Sequence, residues 1–217
     1  MAYFVRAFRT VLLFSLLQAE AVQAEQLAIT LTAREVRVTG ATPDAAVIVT
    51  GYEEKHYPSQ RGVTRRQRIE RAGANGAATR HFESDISPRS FWIAVDVKSG
   101  AVATAAPAGM PLAQRPLPED LLKTDNNGQL KKLVSRLAYA SFLLVRPGEG
   151  AWEMKAGDGG ASDGDHSVDG KIETDLDQFE PMVDVTDPPK KFERGDVLVI
   201  MMPETMSFFL HRVGESK

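Results

Sequence analysis

The chain has 217 residues, 43% of them apolar and 25% charged, and its 26 basic against 29 acidic residues leave a net charge of −3. That balance excludes a disordered polymer, a collagen and a polytopic membrane protein. The absence of cysteine excludes a disulfide scaffold, a thiolate metal site and a cysteine nucleophile.

Residues 1–24 carry Arg6 and Arg9, then an apolar run from Val11 to Leu17, then a polar stretch ending Val22-Gln23-Ala24. Small residues three before and immediately before a cut after Ala24 give this segment the form of a signal peptide. The apolar stretch is too short to cross a bilayer, which takes about 20 residues. The expectation is a signal peptide cleaved after Ala24, leaving an extracytoplasmic protein, periplasmic or secreted, with no membrane span.

β-Branched alternation predicts strands at 27–32, 35–38 and 46–50, with turn chemistry at Gly40 to Asp44. Residues 63–70 and 78–83 flank Asn75-Gly76, the dipeptide of a tight hairpin, and are expected to pair with each other. Residues 90–97 are apolar on both faces for most of their length, as in a central strand. This strand spacing predicts a β-sandwich over 25–106 and resembles immunoglobulin-like modules in strand pattern alone. Pro107, Pro111, Pro116 and Pro118 then read as a linker over 107–126.

Leu130, Leu133, Val134 and Leu137 fall at helical spacing, so a short helix is expected over 127–140. Two hairpins follow, 141–146 with 151–155 and 196–202 with 207–213, turning at Pro147 to Gly150 and Pro203 to Met206. The expected fold is therefore mainly β, an immunoglobulin-like β-sandwich followed by a short helix and a smaller β-hairpin-rich module over 127–217. Charge divides along the same line. Residues 25–148 hold 17 basic and 12 acidic side chains, whereas residues 149–217 hold 7 and 16. Such a field either docks the two halves together or recruits a charged partner.

The most specific chemistry lies between Gly157 and Asp177. Asp165, Ser167 and Asp169 stand at alternate positions, followed by Gly170 and, two residues later, Ile172. This resembles the opening of the calcium loop of EF-hand and dockerin-type proteins, where alternate oxygen ligands converge and a glycine turns the chain. The resemblance implies calcium held by Asp165, Ser167, Asp169 and the Lys171 carbonyl, completed by Asp158, Asp163, Asp175 or Asp177. The twelfth position, a glutamate in that family, is Leu176 here, and flanking glycines and Pro181 disfavour helices. The alternative is a solvated loop in which aspartates cap their own backbone.

Arg61, Arg65, Arg66, Arg68 and Arg71 form a basic cluster suited to an extracytoplasmic protein or polyanionic polymer, with a solvated strand face as the alternative. No base-stacking aromatics interleave with it, so nucleic acid is not expected. Trp92 and Trp152 are candidates for stacking on sugars, with core packing as the alternative. His56, His81, His166 and His211 lack metal-ligand spacing. No GxSxG, SxxK, P-loop or GxGxxG motif occurs. The leading functional expectation is an exported non-enzymatic binding or assembly protein stabilised by calcium. The alternatives are a polymer hydrolase with a calcium-clamped loop, whose catalytic residues leave no local spacing, and a carbohydrate-binding module.

Overall fold

The structure is a computed structural model that describes residues 26–56, 61–107, 113–115, 122–124, 130–135, 140–155, 172–202 and 207–214. Its strands in chain order begin with β1 (Ala28–Leu31), β2 (Glu35–Thr39), β3 (Ala46–His56), β4 (Arg61–Arg71), β5 (Ala78–His81), β6 (Ser90–Asp96) and β7 (Val102–Ala105). They continue with β8 (Ala113–Arg115), β9 (Leu122–Thr124), β10 (Leu130–Ser135), β11 (Ser141–Arg146), β12 (Gly150–Lys155) and β13 (Ile172–Asp175). A 3-10 turn at Leu176–Gln178 precedes β14 (Glu180–Val183), β15 (Val197–Met202) and β16 (Ser207–Arg212). Among the described residues there is no α-helix, and so none long and apolar enough to cross a membrane.

The strands form four sheets, ordered β1-β2-β5, β4-β3-β6-β7, β14-β12-β11-β15-β16-β8 and β13-β10-β9. Side-chain alternation stacks the first three as layers in a sandwich-like arrangement. Val47, Val49, Trp92 and Ala94 on one face of the four-stranded sheet meet Val36, Val38 and Ala78 of the β1-β2-β5 sheet. The opposite face, with Ile48, Tyr52, Phe91, Ile93 and Val95, meets Leu143, Val145, Val197, Val199 and Met201 of the six-stranded sheet. On that sheet's far side Phe142, Leu144, Trp152, Leu198 and Ile200 are covered by Leu176, Phe179 and Phe192. β6 and β15 are buried along their whole length because a layer covers each face. Each such large apolar side chain contributes about 1.5–3 kcal/mol on full burial.

The expected strands at 27–32, 35–38, 46–50 and 90–97 form, as do the hairpins β11–β12 and β15–β16. Two local expectations are corrected. The Asn75-Gly76 turn closes as its chemistry requires, with Gly76 at φ +68 and Asn75 Oδ1 accepting from Ala77 N at 3.2 Å. It does not join a hairpin, however. β4 pairs with β3 and β5 pairs with β2, so the turn is a corner at which the chain changes layers. The Gly76 carbonyl accepts from Ala41 N at 3.0 Å, and a Cβ at Gly76 would stand 2.4 Å from the Ala41 oxygen, which ties the corner to the turn before β3.

Within the stretch 127–140 expected as a helix, the described residues 130–135 form the strand β10, central in its sheet between β9 and β13. The ladder shifts register between Leu130 and Lys132, and a one-residue bulge gives a strand the three-residue leucine spacing that otherwise reads as helical. In the ladder with β13, Lys132 stands opposite Asp175 and Val134 opposite Glu173. Within the proline-rich 107–126 segment, β8 and β9 are strands of three residues. β8 lies between Pro111 and Pro116 and pairs in parallel with β16 at a sheet edge, where proline's missing donor is tolerated.

Candidate functional site

β3 and β4 form an eleven-residue antiparallel pair in unbroken register, and alternation sends their polar side chains to opposite faces. Toward the β1-β2-β5 layer, Arg66 pairs with the buried Glu53 at 2.9 Å, bonds Ser84 Oγ at 2.8 Å and stacks over the Phe82 ring. Toward the six-stranded sheet, Arg65 pairs with Glu153 of β12 and bonds Gln67 Oε1. The Gln67 amide reaches Met182 Sδ at 3.9 Å.

Beside this ion pair lies a buried polar cluster. Tyr52 stands opposite Arg65 and Thr50 opposite Gln67, and both face the six-stranded sheet. Tyr52 stacks on Phe91 with ring centroids 5.1 Å apart. Burial pushes the Tyr52 phenol up from its ordinary range and Glu153 adds to this, against the opposing influence of Arg65 and the neighbouring Ser141 hydroxyl, so the phenol is a neutral donor. Among the described residues, Thr50 Oγ1, Tyr52 OH, Ser141 Oγ and the Nε and Nη1 of Arg65 are buried and find no hydrogen-bond partner of normal geometry. A polar atom left so costs about 1–3 kcal/mol. The cluster is a concentration of hydrogen-bond donors suited to an oxyanion, a carbonyl or ordered water. None of Thr50, Tyr52, Gln67, Ser141 or Glu153 stands out in the sequence; the available signal was polar residues at inward positions of otherwise apolar strands.

Two other buried carboxylates serve the scaffold. Asp96, at the end of β6, accepts from Thr42 N and Thr42 Oγ1 at 2.7 Å on one oxygen and from Lys98 N and Ser99 N on the other. Burial pushes its pKa up, but these hydrogen bonds outweigh burial and hold the carboxyl below its ordinary range. Asp196 takes a bidentate contact from Arg146 at 2.9 and 3.0 Å, and Arg146 also lies over the Trp152 ring. The Asp196 hydrogen bond leads in pushing the Arg146 guanidinium up, against the opposing effect of burial and with the charges of Asp196, Glu193 and Glu149 adding to it.

Of the eight expected calcium ligands, Asp158, Asp163, Asp165, Ser167, Asp169 and Lys171 lie outside the described residues. Asp175 closes β13 opposite Lys132, and Asp177 is exposed in the 3-10 turn, accepting from Gln178 Nε2 at 3.2 Å. Among the described residues, no three His, Asp or Glu side chains are placed to hold a metal. The basic cluster divides between faces: Arg65 and Arg66 are engaged by Glu153 and Glu53, while Arg68 and Arg71 are exposed and bond the Gln67 and Asp44 carbonyls. Arg61 lies on β4, its side chain outside the description. Trp92 and Trp152 are core residues, 0% and 4% exposed, so neither offers a platform for a sugar. His81 pairs with Glu35 at 3.3 Å on the surface, His211 lies on β16, and His166 is outside the described residues.

No protein-family model matches the chain, and no curated protein matches it. Among solved structures, the crystal structure of red sea bream transglutaminase aligns at 15% identity and a TM-score of 0.24, over 88% of this chain and 31% of that one. The chain thus spans about a third of that structure's length, and a similarity at this level carries no argument about activity.

Proposed function

We propose that this chain is an exported, non-enzymatic binding or assembly protein that meets its partner through the basic strand β4, with a calcium ion steadying the 157–177 loop. The observation that carries the reading is the placement of Arg68 and Arg71. Both guanidiniums are exposed at a sheet edge, and among the described residues neither is paired with a carboxylate. They belong to residues 25–148, where 17 basic residues outnumber 12 acidic ones. A field of that sign raises the encounter rate with an acidic partner and falls with salt. Export is supported by the composition of residues 1–24, and calcium by the alternate Asp165, Ser167 and Asp169.

The test is retention of the full chain on immobilised polyglutamate and on a sulfated glycan, with the polymer's length measured after incubation. Salt-sensitive retention by at least one polymer, lost on Arg68→Glu with Arg71→Glu, and an unchanged polymer length are expected. Shortening of the polymer overturns the reading in favour of the hydrolase. Retention by neither polymer removes the polyanion-binding role.

A further inference from the structure

We propose that the outer edge of β4 accepts an extended acidic segment of a partner protein as an added β-strand. This rests on the binding reading above and adds the mode of recognition to it. The phase of the β3–β4 ladder identifies the backbone groups involved. Ala72 N donates to Ala45 O at 2.9 Å, just beyond the end of the ladder, and in an antiparallel pair such bonded pairs recur at every second residue. The even-numbered residues Arg66, Arg68 and Glu70 therefore bond β3. Val97 N to Ala46 O and Glu54 N to Arg89 O, on the other side of β3, fit the same phase. Arg65, Gln67, Ile69 and Arg71 direct their N–H and C=O groups away from the sheet. The Gln67 carbonyl is held at 2.7 Å by the Arg68 side chain, as an outward-facing acceptor would be.

The side chains along this edge define what fits. Ile69, 46% exposed, is the large apolar side chain that the described surface leaves open. It is flanked by Arg68 and followed, two residues on, by Arg71, while Glu70 is within 3.6 Å of Arg80. A strand laid along the edge meets a carboxylate-seeking site at Arg68, an apolar one at Ile69, a neutral one at Glu70 and a second carboxylate-seeking site at Arg71. A second copy of β4 would bring another strand of five arginines against one glutamate to this edge, a net like charge that opposes self-pairing. An acidic strand meets no such repulsion. On its arrival the Arg68 guanidinium exchanges the Gln67 carbonyl for a carboxylate, and that carbonyl takes a backbone N–H.

The probe is a labelled peptide with the core Glu-Thr-Val-Glu flanked by threonines, its binding to the full chain followed by fluorescence anisotropy. N-methylating alternate amides preserves every charge and removes backbone donors, so at least a tenfold loss of affinity is expected. Ile69→Pro removes an outward N–H without touching the β3 ladder, and loss of binding is again expected. If that variant fails to fold, the methylated peptide decides on the unaltered chain. Equal affinity for methylated and unmethylated peptides overturns strand addition while leaving charge-driven binding in place. Absence of peptide binding alongside polymer retention also overturns it, and absence of both overturns the underlying reading as well. A β4-mediated dimer in solution overturns the choice of occupant.

Discussion

Asp96 shows how a single side chain can fix two turns. Its Oδ2 holds Thr42, ahead of β3, and its Oδ1 holds the Lys98–Ser99 turn after β6. Because the folded carboxyl sits below its ordinary range, Asp96 stabilises the fold above its unfolded pKa of about 3.9, and that contribution is lost as pH falls through the folded value. Asp96→Asn places an amide donor against N–H donors, so a loss of about 1–3 kcal/mol is expected at pH 7. Urea unfolding at pH 7 and pH 3 checks this: the gap between the two proteins should narrow at the lower pH. Gly51 is a second residue whose identity is dictated by contact. It faces Trp92 across the β3–β6 ladder, and a Cβ there would stand 2.5 Å from the indole ring. The sequence shows a glycine inside a strand; only the cross-strand partner explains it.

At the scale of elements, alternation and turn chemistry were legible for β1, β2, β3, β6 and both C-terminal hairpins, because their signals are local. The partner of a strand is not a local signal. Asn75-Gly76 announces a tight turn whether the chain then returns along the same sheet or crosses to another, and β4 was already paired with β3. Leu130 and Leu133 are three apart in a helix or across a bulge, and the facing β13 selects the strand. The segment between β12 and β13 carries the strongest sequence signal of any stretch of the chain. If calcium binds it, stability rises by about 1.4 kcal/mol at ten times the dissociation constant. A higher melting temperature in calcium than in chelator is expected, removed by Asp165→Ala with Asp169→Ala; identical curves for the native chain would refute calcium binding.

Across the whole molecule, the divided charge joins the two halves at more than one contact, and Arg146 of the basic half holds Asp196 of the acidic one. Arg65, from the basic half, meets Glu153, from the acidic half, between two layers, with side chains 17% and 12% exposed. Glu153→Ala leaves the guanidinium mostly buried without that carboxylate, and a loss of about 2–4 kcal/mol is expected after allowing for partial exposure. Arg65→Met combined with Glu153→Leu should recover much of it, since an apolar pair of similar volume needs no compensating charge. Thermal unfolding of the single and double variants checks both statements, and additive losses would show that the pair is not coupled.

By itself the sequence determined the mainly β character, the positions of most strands and the unequal charge of the two halves, because alternation, turn residues and composition are local properties of a chain. It also carried the aspartate spacing on which the calcium proposal rests. The tertiary structure decided which strands share a sheet, that Trp92 and Trp152 lie in cores, and that Arg65 and Arg66 point to opposite layers while Arg68 and Arg71 remain exposed. It alone assembled Thr50, Tyr52, Arg65, Ser141 and Glu153 into one buried cluster. Thr50 and Glu153 are more than a hundred positions apart in the chain, and nothing short of packing one sheet against another brings these side chains together.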